Sequence, residues 1–249
     1  MRRFLRHAMA NRIFAEVSPG RVRHTATSRM LVKDPDFFDA VGLETAELAP
    51  AAGKFIEALT KYGDSGEQTE TAFSLENDTT LSIFQYLSQR PERARRFGAG
   101  MQFFTKSEGW DLKHLASGFD WASIDRPGAT VVDMGGGHGS VSQFLAKTTR
   151  HVKFIVQDLP STVEQARVSL PSEFEGRVEF MGHDFFTEQT LQGPEVFLFR
   201  WIMHNWSDRY CVKILQNLIP AIKDGSRVLF YEYVLKDEAE TKITEKIGL

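Results

Sequence analysis

From residue 130 onward, short apolar runs alternate with stretches in which apolar residues recur every three or four positions. The runs "TVVDM" (130–134), "KFIVQ" (153–157), "VEFM" (178–181), "EVFLFR" (195–200) and "RVLFYEYVL" (227–235) read as strands. Between them, "SVSQFLAK" (140–147), "STVEQARVSL" (161–170) and "DRYCVKILQNLIPAIK" (208–223) read as helices, the last capped by Ser207 with a core stripe of Ile214, Leu215, Leu218 and Ile222. Strands that are apolar almost throughout are covered on both faces, and strand–helix alternation makes such a sheet parallel. Upstream, "FFDAVGLETAELAPAAGKFIEALTKY" (37–62) and "TTLSIFQYLSQRPERARRFGAGMQFFTK" (79–106) carry helical spacing. Helix starts are expected at Asn77-Asp78-Thr79 and at Pro91, with a loop from Gly63 to Gly66. The pattern changes at "DRPGAT" (125–130), which predicts a mainly helical domain over 1–124 and an α/β domain over 125–249.

Composition adds little to this picture: 249 residues, 42% hydrophobic, with a formal charge of -3, describe an ordinary soluble globular chain. Cys211, the one cysteine, excludes an internal disulfide and suits a reducing, cytoplasmic setting. No apolar run is long enough to cross a bilayer, so no membrane partner is expected. The charge is uneven, however. Arg2, Arg3, Arg6, Arg12, Arg21, Arg23, Arg29 and Lys33 face only Glu16 within the first 33 residues. Such a start fits a cleavable presequence, a nucleic-acid surface, or a folded helix and hairpin with a solvated basic face. The alternation in "RVRHTATSRMLV" (21–32) favours the hairpin.

The first strand of the sheet runs into "TVVDMGGGHGSVSQFLAK" (130–147). A dinucleotide loop needs Gly-x-Gly-x-x-Gly. Counted from Gly135 and Gly137 the third place holds Ser140, and counted from Gly136 the second holds His138. No Gly-Lys-Ser/Thr follows, so the phosphate loop of nucleotide triphosphatases is missing too. What stands there is Asp133-x-Gly135-x-Gly137-x-Gly139. An acid facing that loop repels a pyrophosphate and accepts from an ammonium group, which predicts a cationic amine joined to a nucleoside. Ligands of such sheets bind beyond the carboxyl ends of the strands. Asp158 in "FIVQDLP" stands at one such end, nineteen positions after Gly139, where an acid can accept both ribose hydroxyls. Asp184 in "GHDFF" stands at the next, placed for an exocyclic adenine amine, with Phe185 to pack on the ring.

With the glycine loop, "QDLP", "GHDFF" and "FRWIMHNWSD" in this order and spacing, the chain resembles the S-adenosylmethionine-dependent O-methyltransferases of the caffeate type and their fungal secondary-metabolite relatives. The resemblance implies a Rossmann-like methyltransferase sheet with helices on both faces, preceded by a winged-helix-derived dimerisation domain. It implies that Gly135, Gly137, Gly139 and Asp158, with the adjoining Asp133 and Leu159, hold S-adenosylmethionine, with Asp184 and Phe185 at adenine. Arg200 takes the place where the family often has a lysine near the cofactor. A homodimer of the full-length protein and a small hydroxylated acceptor are implied as partners.

His204 lies just past the fourth strand of the sheet, at the rim where an acceptor would sit. Methylating a phenol removes a proton whose pKa is near ~10, and a histidine with an ordinary pKa near ~6.5 is neutral enough to take it. A lone histidine after a strand is commonly structural; the matched His-x-Trp-Ser-Asp setting favours the base. Glu232, twenty-eight positions on and near the end of the next strand, has the family's spacing for its support. A carboxylate there sets the imidazole tautomer and stabilises the imidazolium, while a solvated strand-end glutamate is the plainer alternative. Asn205 stands where many relatives have aspartate, and Trp201 and Trp206 read as packing. Met101, Phe103, Phe104 and Trp110 could line an apolar acceptor slot, with Met203 beside the histidine, but their spacing is equally that of helix core. His138, His183 and His204 are scattered and Cys211 falls in a helix, so no metal is expected.

Relative to that family, the chain is expected to enter partway through the winged-helix region and to stop at Leu249, within what reads as the next helix, "EAETKITEKIGL". Glu238, Glu240 and Glu245 come too early to be the family's second supporting glutamate. An unpaired fifth strand invites association, so marginal stability and low activity are expected of these residues alone. The rival to a methyltransferase is a cofactor-binding protein that no longer methylates, or a fold reused for another reaction. A DNA-binding wing in the basic segment is the third possibility, set against the wing's dimerising role in the family.

Overall fold

A computed structural model of the chain describes residues 1–106 and 108–234; Leu235 and the predicted helix with Glu238, Glu240 and Glu245 lie outside the described residues. The chain divides into two compact units, Met1–Asp111 and Leu112–Leu249.

The first unit opens with α1 (Arg2–Ala10), the hairpin β1 (Phe14–Ser18) and β2 (Arg21–His24), and α2 (Ala26–Lys33). The arginines of this opening segment, Arg2 to Arg29, are exposed, as a solvated basic face requires. The alternating segment supplies only β2, because Thr25 starts a helix: its hydroxyl accepts from the Ser28 amide and the Ser28 hydroxyl accepts from the Thr25 amide. Next come α3 (Pro35–Leu43), a π turn over Glu44–Leu48, α4 (Ala49–Gly53), α5 (Phe55–Tyr62), α6 (Ala72–Glu76), α7 (Ile83–Ser88) and α8 (Pro91–Phe104). The expected start at residues 77–79 moves to Ser82, which makes a capping box with Gln85, because Asn77 closes α6 and Asp78 takes a φ of 45°. Arg95 on α8 holds the buried Asp39 on α3 through both carboxylate oxygens.

The second unit begins at Leu112, ahead of the pattern change at 125–130. Leu115 on α9 (Leu112–Gly118), Trp121 and Ile124 are buried in the same cluster as Val131, Leu145 and Phe154, so they belong to the sheet's core. The sheet holds β3 (Thr130–Met134), β4 (Lys153–Asp158), β5 (Val178–Gly182), β6 (Val196–Arg200) and β7 (Arg227–Tyr231) in the order β5-β4-β3-β6-β7, with every neighbouring pair parallel. The chain order reverses between β3 and β6, and sheets of this kind take their ligands at that switch point.

The helices α10 (Ser140–Thr148), α11 (Pro160–Ser169) and α12 (Asp208–Gln216) cover the sheet. Side chains alternate between its two faces. Val131, Val196 and Leu198 pack with Leu145 of α10, while Val132, Met134, Phe197 and Phe199 pack with Ile214 of α12. Ser207 takes the N-cap position of α12 but makes no side-chain capping bond. The helix ends at Gln216 and a 3-10 turn over Ile219–Ala221 follows, as Pro220 demands. Ile214 and Leu218 are therefore core, whereas Ile222, past the break, is 45% exposed. Among the described residues no helix is long and apolar enough to cross a membrane.

Candidate active site

The glycine loop is fastened to the neighbouring strand by its own amides. The Gly135 and Gly136 N–H groups both donate to the Gln157 carbonyl, at 2.7 and 3.2 Å. Gly137 N–H donates to Asp158 Oδ2 at 2.9 Å, and Gly139 N–H to the Gly136 carbonyl at 2.9 Å. A phosphate loop leaves such donors aimed at its ligand; here these four are satisfied within the protein. Gly139 takes a φ of 73°, and a Cβ there would crowd Phe180 and Val156 at 3.1 Å. Its φ and the close approach of the sheet side chains both favour glycine there.

Asp133 corrects an expectation. It has the parity of Val131, so its side chain enters the α10 layer, where Oδ2 accepts from the Ser142 hydroxyl at 2.7 Å. It is 1% exposed and lies directly beneath Gly136. Burial pushes its pKa up to about 6, against the Ser142 bond and the nearby Arg200 charge. It supports the loop from below and does not face a ligand amine. Asp158 does reach the surface. Burial raises its pKa against the Leu159 and Gly137 N–H donors, and each oxygen keeps a lone pair for a further donor. Leu159, the exposed N-cap of α11, follows it.

Asp184 is exposed and its Oδ1 accepts from the Phe186 amide at 2.9 Å. Phe185 comes within 3.6 Å of where a Gly135 Cβ would stand, and joins Phe186, Trp206 and Tyr210 in an aromatic cluster. The cluster accounts for Trp206 as packing.

Beyond β6 the chain makes a turn that no glycine assists. Trp201 takes a φ of 56°, a left-handed conformation that a bulky side chain avoids. Glu232, immediately after β7, accepts from the Ile202 and Met203 amides through Oε1, at 2.7 and 2.9 Å. Its Oε2 stands 3.2 Å from His204 Nδ1. The His204 side chain is 49% exposed and that of Glu232 only 13%, so the imidazole is reachable and its partner is sealed. Burial would raise the Glu232 pKa, but the His204 ring and the two amides hold it below the usual glutamate range. The Arg200 guanidinium lies 4.0 Å over the Trp201 ring, and its buried Nε and Nη2 have no hydrogen-bond partner among the described residues. Burial lowers its pKa, opposed by Tyr231, Asp133 and Glu232.

The second unit therefore brings Gly135, Gly137, Asp158, Phe185, Arg200, His204 and Glu232 to the switch-point end of the sheet. Met203 is half-buried on the same turn, and Asn205 turns back to donate to the Trp201 carbonyl at 3.0 Å. Met101 and Phe104 lie half-buried on α8 and Trp110 in the turn at Glu108–Trp110, all within the first unit. Three residues of this region escaped the sequence reading. Ser142 is a polar residue on the buried face of α10, a signal that was there to find. Gln157, 1% exposed and paired by reciprocal amide bonds to Gln189, is a buried polar residue next to the apolar run Phe154-Ile155-Val156. Ile202 carries no local signal at all.

Residues 64–248 match the O-methyltransferase domain family. The chain is 40% identical over 239 residues to the chlorophenol O-methyltransferase of Trichoderma longibrachiatum, covering 94% of this chain and 51% of that one. It spans about half the length of the curated relatives it matches. Among solved structures, LepI in complex with SAM is similar with a TM-score of 0.77 at 25% identity, covering 96% of this chain and 61% of that one. A structure described as a pericyclic reaction enzyme shares the fold with a TM-score of 0.77 at 24% identity, over 96% of this chain and 62% of that one.

Proposed function

We propose that this chain, which belongs to the O-methyltransferase domain family, methylates a hydroxyl of a small aromatic metabolite with S-adenosylmethionine, the cofactor of that family. The residues at the switch point fit that cofactor better than a dinucleotide. The amides of Gly135, Gly136, Gly137 and Gly139 are already taken up within the protein rather than aimed at a pyrophosphate, Asp158 and Asp184 are acceptors for hydroxyl and amine groups, and the orphaned Arg200 nitrogens suit a carboxylate. Gly135, Gly137, Asp158, Leu159, Asp184, Phe185 and Arg200 would hold it, and when bound it supplies a sulfonium methyl group open to displacement.

The chain's own part is the proton. Glu232, ionised at neutral pH, stands with Oε2 3.2 Å from His204 Nδ1 and has no other partner for that oxygen among the described residues; a slight turn of the ring lets Nδ1 donate to it and leaves Nε2 as the basic nitrogen. Nε2 removes the acceptor's hydroxyl proton, and Glu232 stabilises the resulting imidazolium as in serine-hydrolase triads. The single observation that carries this reading is the 3.2 Å approach of a sealed carboxylate to a solvent-reachable imidazole beside the glycine loop. The chlorophenol-methylating relative supports a phenolic acceptor, and Met203 is the candidate contact from the same turn. A homodimer is the proposed assembly of the full-length protein.

The test is transfer of labelled methyl to a panel of phenols. His204→Ala is expected to lose roughly 10²–10⁴-fold in turnover; equal rates for the two proteins would remove His204 from the mechanism. The second reading, a fold turned to another reaction, draws on the shared fold of the pericyclic reaction enzyme, since a fold does not fix a chemistry. Cofactor binding with no turnover on any phenol would favour it.

A further inference from the structure

We infer that Ile202 is a positioning residue that ties the base-holding carboxylate to the glycine loop, so that Glu232 orders the cofactor cradle as well as the imidazole. The inference rests on the methyltransferase reading of this site.

Its basis is a chain of direct contacts. Glu232 Oε1 accepts from two consecutive amides, Ile202 at 2.7 Å and Met203 at 2.9 Å. These follow Trp201, whose φ of 56° is held against its own preference. Without that acceptor, two part-buried N–H groups lose their partner and the turn is free to relax. The turn's product is the placement of Ile202. Its Cδ1 lies only 2.5 Å from where a Gly135 Cβ would stand, so the isoleucine fills the place of the missing side chain. On its other side the loop is held by the Gln157 carbonyl and the Asp158 carboxylate. Ile202 completes that grip and packs in the same cluster as Phe185, Met203 and Met134. Glu232 thus has two separable tasks: one oxygen faces His204, and the other acts through Ile202 on the loop.

The two tasks come apart in the choice of variant. In Glu232→Gln the amide oxygen still accepts both N–H groups, while the charge that favours the imidazolium is gone. In Glu232→Ala both are lost. The experiment is titration calorimetry of the full chain with S-adenosylhomocysteine, below the melting point, alongside the pH profile of methyl transfer. Ile202→Ala is expected to weaken binding about tenfold and to leave the pH profile in place. Glu232→Gln is expected to bind within about twofold of wild type while its pH profile shifts, and Glu232→Ala to lose roughly tenfold in binding as well. Ile202→Val, the milder change should Ile202→Ala unfold the chain, is expected to weaken binding about twofold. Wild-type binding by the Ile202 variants, or equal binding by Glu232→Gln and Glu232→Ala, would overturn the inference alone. Absence of binding by the wild type would overturn the methyltransferase reading and this inference with it.

Discussion

The loop after β3 and the turn after β6 leave neighbouring strands, and both place backbone in the left-handed region. The loop does so with glycine, at Gly135, Gly137 and Gly139, whose φ values run from 56° to 73°. The turn does so with Trp201 at 56°. Glycine enters that region freely because it has no Cβ, whereas tryptophan must be held there at a cost of roughly 1–3 kcal/mol. The holding group is Glu232, thirty residues beyond Ile202 in the chain. One loop is therefore specified locally and the other by a distant carboxylate. The proposed cofactor side of the site is encoded where it stands, and the proposed base side is encoded by the packing of β6 against β7.

The sharpest separation of the two regions pairs a variant from each. His204→Ala should lose turnover by the factor given above yet bind S-adenosylhomocysteine as wild type does. Asp158→Ala, which releases Gly137 and removes the acceptor at the end of β4, should weaken that binding by roughly 100-fold. Calorimetry with single-turnover rates reads both, and a loss of binding in His204→Ala would merge what are here distinct tasks.

The carboxylates beneath the two regions should also answer pH with opposite sign. Asp133 folds with a pKa of about 6 against an ordinary 3.8, so its contribution to stability is whole below about 3.8 and is lost as pH rises through about 6. Asp133→Asn should abolish that decline, worth roughly 2–3 kcal/mol. Glu232 folds with a lowered pKa, so its contribution is present above the ordinary 4.5 and is lost as pH falls through the folded value. Glu232→Gln should flatten that acid limb instead. Melting temperatures from pH 3 to pH 8 distinguish the two, and parallel curves for both variants would refute the assignment.

A smaller effect is expected of Gly136→Ala. A Cβ there would come 2.6 Å from the Asp133 carboxyl carbon, and overpacking of this kind costs roughly 1–3 kcal/mol. The smallest concerns the far end of the strands, where Glu195 accepts from the Thr130 amide, Arg126 and Lys223. Glu195→Gln should lower stability by about 1 kcal/mol with methyl transfer unchanged. Thermal melts and initial rates on the two proteins check both points.

The division between local and distant encoding also explains what could be read in advance. The strands were legible because both faces are buried, leaving runs such as "TVVDM" and "EVFLFR" with almost no polar interruption. That Gly135, Asp158, His204 and Glu232 stand at or just past strand ends was legible because each follows an apolar run at a recognisable interval. Asp133 was not, because whether a strand-end acid points along the strand or into a helix layer depends on its parity with Val131, which only the register settles. The break at Pro220 and the helix start at Thr25 were misjudged where a local cap or a proline overrode periodicity. Ile202 was hidden for another reason: its place against Gly135 exists only once Trp201 has been forced over.

The most direct test of the central claim, that a loop whose glycine amides are satisfied by the protein cradles a cationic amino-acid nucleoside, is a paired calorimetric titration. The full chain would be titrated with S-adenosylhomocysteine and, separately, with nicotinamide adenine dinucleotide. Saturable binding of the first with no detectable heat from the second is expected. Saturable binding of the dinucleotide, with none of S-adenosylhomocysteine, would contradict it.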